Sequence, residues 1–136
     1  MKTRVIIFSI IMTIVFMSLA TGCTGGPVEI TDVVMCKDLD SNYEPVDPAT
    51  AFPLGTDTIH VSVKVNNMST EDKITVKWNY LETGKELSAT EFTTEKPGSG
   101  YIDFSLTSEG GFPAGRYNAV VYLNGEEVKT VEFSVE

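Results

Sequence analysis

The chain has 136 residues and a formal net charge of −9, from 10 Lys plus Arg against 19 Asp plus Glu. That length predicts one domain, and the acidity argues against nucleic acid and anionic lipid surfaces, both of which need basic patches. With 1 His and 2 Cys, zinc-finger, iron–sulfur and haem architectures that draw several ligands from those residues are excluded. No metal or other cofactor is expected.

Lys2 and Arg4 form a short basic head, and residues 5–20 carry no charge. The run is short for a membrane span, which needs about 20 apolar residues. It fits the apolar region of a signal peptide. Leu19-Ala20-Thr21-Gly22-Cys23 follows. This stretch resembles the lipobox of prokaryotic lipoproteins, with Ala20 where Leu is commonest. The resemblance implies cleavage before Cys23 and acylation of its sulfur; an uncleaved N-terminal helical anchor is the alternative. Residues 1–22 are then a leader, 23–27 a lipidated tether and 28–136 the domain. Only Lys2 and Arg4 leave with the leader, which takes the net charge from −9 to −11. At about 3.3–3.6 Å per residue the tether keeps the domain within roughly 20 Å of its membrane. The domain is expected outside the cytoplasm, in a bacterial or archaeal envelope.

Beyond the tether the hydrophobic period is two, which predicts strands. Residues 28–36 make the first, and 37–57 a long acidic connection containing Pro. The clearest strand is 58–65, with Ile59, Val61, Val63 and Val65 on one face and His60, Ser62 and Lys64 on the other. Residues 73–81 turn Ile74, Val76, Trp78 and Tyr80 inward. Residues 86–94 read as an edge strand, because Glu91 shares a face with Leu87 and Ala89. Residues 101–106 bury Ile102, Phe104 and Leu106, and 116–123 alternate Tyr117, Ala119, Val121 and Leu123. Asn124-Gly125 is a two-residue hairpin signal, and 126–135 close the chain on Val131, Phe133 and Val135.

Seven strands without a crossover helix predict an all-β, antiparallel sandwich of two sheets. Trp78 falls on the third strand, and Tyr117 opens the sixth after Pro113-Ala114-Gly115-Arg116. The run 115–125 resembles the closing hairpin of fibronectin type III-like and other immunoglobulin-like modules of prokaryotic surface proteins. The resemblance implies a buried Trp78 and a tyrosine corner at Tyr117. The inter-sheet Cys pair of antibody domains is absent. Fold alone does not imply function.

Candidate chemistry is sparse. His60 reads as a solvated strand residue, since a catalytic base needs a positioned nucleophile and an orienting partner. Cys36 reads as a small buried hydrophobe on the face of Ile30 and Val34. Asp38, Asp40, Asn42 and Glu44 offer oxygens at alternate positions. Tyr43, however, stands where a calcium loop needs Gly, and no Glu ends a twelve-residue loop. Asn67-Met68-Ser69 fits the N-glycosylation pattern. No nucleophile elbow, zinc-protease helix motif or phosphate loop occurs in 23–136.

These observations lead to a non-enzymatic, membrane-anchored module that binds an envelope or extracellular protein. An inhibitor or ligand-binding lipoprotein using its loops is the alternative. If strands alternate in direction, 37–57, 82–86 and 107–115 lie far from the anchor. Partner contacts are expected there, at Asp38, Asp40, Tyr43, Glu44 and Phe112. The loops 66–72, 97–100 and 124–125 lie near it.

Overall fold

The computed structural model describes residues 26–136; the leader and Cys23 lie outside the described residues. In chain order the strands are β1 (Glu29–Leu39), β2 (Pro45–Pro48), β3 (Ala51–Phe52), β4 (Thr58–Met68), β5 (Ile74–Tyr80), β6 (Lys85–Phe92), β7 (Gly98–Thr107), β8 (Gly115–Leu123) and β9 (Glu126–Val135). One sheet has the order β2-β1-β4-β7, the other β3-β9-β8-β5-β6.

The alternation seen in the sequence builds the core. Ile59, Val61, Val63 and Val65 of β4 face Ile74, Val76 and Trp78 of β5 and Tyr117, Ala119 and Val121 of β8, all buried. Side chains on a strand point alternately to opposite faces, so one apolar face per sheet suffices to fill the interior. Trp78 is 0% exposed and meets Phe133 edge-to-face, ring centroids 5.9 Å apart. Asn124 and Gly125 have φ of 52° and 88°. A type I′ turn needs positive φ at both central residues, and so β8 returns directly into β9.

Three expectations need correction. There are nine strands among the described residues, not seven, because the connection 37–57 contains β2 and β3. Strands of four and two residues are too short to show a period. Nor is every pairing antiparallel. Ala51 pairs with Ser134 and Phe52 with Val135 in parallel, since the chain leaves the β1–β2 hairpin and crosses to the other sheet. The N–H of Ala49 still donates to Met35, whereas the carbonyl of the next residue, Thr50, accepts from the N–H of Ser134.

The third correction concerns Cys36. A bulge between Ile30 and Asp32 shifts the β1–β4 register. One extra residue moves every later side chain to the opposite face. Ile30 therefore packs on the core while Cys36, paired with His60, lies on the outer face of its sheet. It is 0% exposed all the same.

Candidate functional site

The two ends of the sandwich are built differently. At one, Asn67 Nδ2 donates to the Pro27 carbonyl at 3.5 Å and the Asn67 N–H to Ser99 Oγ at 2.9 Å. Asn124 Oδ1 accepts from the Lys73 N–H, and Asn124 Nδ2 donates to Asp72 Oδ1. Pro27, 66–72, 97–100 and the Asn124-Gly125 turn thus share an end. Backbone N–H and Asn124 donors at Asp72 hold its carboxyl below the usual carboxylate range.

At the opposite end, the Ser108 N–H donates to Asp57 O at 2.8 Å and the Phe112 N–H to Thr56 O at 3.2 Å. A Cβ on Gly111, φ 96°, would stand 3.1 Å from the Gly55 Cα. Only glycine permits that approach of the two loops. The Leu81 N–H donates to Arg116 O, Tyr80 OH to Ala114 O, and Tyr117 OH to Pro113 O. That last bond, four residues upstream, is the tyrosine corner expected from the sequence. Leu54 is exposed here at 63%. A hollow of about 220 Å³ opens between the sheets, lined by Tyr80, Leu87, Leu106, Phe112, Pro113 and Tyr117 among others.

Loops 53–57, 82–84 and 108–115 therefore gather opposite Pro27, but two groups of expected contact residues lie elsewhere. Phe112 is 5% exposed and packs edge-on against Tyr117 at 6.0 Å. Its ring is part of the core. The acidic turn is the second departure. β1 stops pairing with β4 at Cys36, and the hairpin folds across the outer face of the four-stranded sheet. Ser62 Oγ donates to Tyr43 O at 2.6 Å, and Tyr101 OH to Glu44 Oε1 at 3.4 Å.

Asp40 Oδ1 accepts from the N–H groups of Asn42 and Glu44, and Asp38 Oδ1 from Leu39. These carboxylates shape the turn, with Tyr43 held at φ 64° and its ring more than half exposed. Among the described residues no group of three His, Cys, Asp or Glu side chains converges on a metal position.

The hairpin roofs over a small polar layer that the sequence alone does not show. His60 Nδ1 lies 3.0 Å from Asp103 Oδ1, both half-buried. Ser62 is 1% exposed, and burial pushes the Cys36 thiol up, with Asp103 and Asp38 adding to the effect. His60 and Asp103 are brought together by β4–β7 pairing across 43 residues of chain. Nothing local in the sequence marks such a pair.

No protein-family model matches the chain, and no curated protein is similar to it in sequence. Among solved structures it is similar to an immunoglobulin-like protein from Pseudomonas aeruginosa, with a TM-score of 0.58 and 14% identity, over 84% of this chain and 100% of that one. It also matches the DNA-bound alkylpurine DNA glycosylase AlkC of Pseudomonas fluorescens, with a TM-score of 0.49 and 16% identity. That match covers 80% of this chain but spans only 30% of the length of the glycosylase. The first likeness and the two facing sheets agree: the chain folds as an all-β sandwich with an immunoglobulin-like structural neighbour.

Proposed function

We propose that this chain is a non-enzymatic lipoprotein of the cell envelope, anchored through lipid on Cys23, whose sandwich serves as a protein-interaction or assembly module. What carries the reading is the separation of the two ends. Pro27, four residues after Cys23, is bonded to one end by Asn67, while 53–57, 82–84 and 108–115 gather at the other. A short tether leaves a partner little room beside the membrane and free approach to the far end. The exposed Leu54 supports contact there, since a partner that covers it removes apolar surface from water.

The test has two arms. Cys23→Ser should release the domain from membranes or leave an uncleaved precursor, read by fractionation and intact-mass spectrometry. A processed, membrane-bound form without acyl mass would overturn the anchor. Alanine at Leu54, at Glu82 and Thr83, and at Glu109, leaving the positive-φ glycines of these loops in place, should weaken partner capture, whereas alanine blocks over 69–71 and 97–99 should leave it intact. The reverse pattern would overturn the orientation.

A further inference from the structure

Four strands end the two sheets: β2 and β7 in one, β3 and β6 in the other. A free edge is a template for a foreign strand, and folded proteins guard theirs by shortness, Pro or charge. β2 has four residues with Pro at both ends, β3 has two residues, and β6 carries Lys85, Glu86 and Glu91 within eight. β7 has no such guard. It runs ten residues without Pro, and its one charge, Asp103, is held by His60 on the outer face. Its outward backbone groups have no strand partner among the described residues.

The gap between β7 and β6 is also incompletely filled. Besides the hollow at Leu87 and Leu106, a second of about 220 Å³ is lined by Val65, Met68, Phe92, Gly100 and Ile102 among others. Phe104, 3% exposed, lies between Ile102 and Leu106 on the same face of β7. Ile102 and Leu106 are four residues apart on one face of β7, roughly 13 Å at about 3.3 Å per residue. A strand laid along β7 therefore places side chains i and i+4 in the two hollows, with a small residue between them over Phe104.

Charge selects the occupant. Glu86 on β6 and Glu95 and Glu109 in the loops before and after β7 stand against Lys85 and Lys96, of which Lys96 lines the second hollow, while Glu91 is already paired with Lys73. The whole chain is at −9. A second copy meets that repulsion, and a basic segment meets attraction. We propose that β7 is a docking edge for an extended, basic segment of another protein. The segment joins as a fifth strand of the β2-β1-β4-β7 sheet, with bulky apolar side chains at i and i+4. The proposal rests on the interaction-module reading but on neither the lipid nor the end loops, so each can fail separately.

The probe is a fluorescent peptide, Lys-Leu-Thr-Ala-Lys-Leu-Thr-Lys, titrated into the full chain in detergent, with empty micelles as blank. Expected is saturable, salt-weakened binding that slows amide exchange over 98–107. N-methylation of the peptide backbone should abolish it. Leu87→Lys at the rim of one hollow, and Gly100→Lys at the other where a Cβ meets open space, should each weaken it about tenfold or more. Circular dichroism and thermal melts confirm that both variants are folded. No saturable binding, protection confined to β6 or the end loops, or binding indifferent to both variants would overturn the proposal. So would protection of β7 that depends only on protein concentration, which would make the edge a contact between copies.

Discussion

Two aromatic side chains fix much of the core, and they fail differently. Trp78 is wholly buried, and its Nε1 has no hydrogen-bond partner among the described residues. Its value is packing, so Trp78→Ala should cost roughly 3–5 kcal/mol, read from urea unfolding. A loss below about 1 kcal/mol would mean that the site collapses without it. Tyr117 stacks on Phe133 at 5.1 Å and donates its hydroxyl to Pro113 O. Burial, aided by the neighbouring Tyr80, pushes its phenol above the ordinary value. The unfolded chain ionises near pH 10 while the folded one stays neutral. This group's contribution is therefore whole below about pH 10 and lost as pH rises past it. Tyr117→Phe should cost about 1 kcal/mol at neutral pH and flatten the alkaline decline in stability. An unchanged decline would assign it to another group.

The β1–β2 hairpin is where element-level reasoning matters most. Its tip is pinned to the outer face by the Ser62–Tyr43 bond, and Cys36 is sealed beneath. The thiol should react slowly with a disulfide reagent in the folded protein. Ser62→Ala, which removes about 1 kcal/mol of anchoring, should speed labelling roughly fivefold without a matching loss of global stability. Equal rates would show that Cys36 is exposed only by complete unfolding. The sequence makes β4, β5, β8 and the β8–β9 turn legible, because each has one apolar face against a polar one and Asn-Gly admits few turns. It also brings the loops opposite Pro27 into one set through simple alternation of direction. It hides the bulge after Ile30, which reverses the facing of Cys36, and the two-residue β3, whose pairing is decided by β9 some 80 residues later. Phe112 sits in a Gly-rich loop like an exposed residue, yet only the tertiary meeting of Gly111 with Gly55 shows that its ring turns inward.

On the scale of the whole molecule the two sides of the sandwich are unequal. Between β6 and β7 the sheets face each other across hollows. On the other side the chain itself crosses from β2 to β3, and Phe52 lodges against Phe133 at 5.8 Å. The crossing makes β3 run parallel to β9, tied by bonds from Ser134 to Thr50, Glu136 to Phe52 and Leu54 to Glu136. Pro27 lies at one end of the sandwich and Glu136 at the other. A pull between them therefore runs along both strands. Parallel strands drawn from opposite ends must break their bonds together in shear, whereas an antiparallel hairpin pulled from one end opens bond by bond. The short β3–β9 pair should thus act as a mechanical clamp. Stretched between residues 27 and 136, Thr50→Pro, which leaves the bonded carbonyl in place, should keep most of the unfolding force. Leu54→Pro, which deletes the N–H donated to Glu136, should lower it.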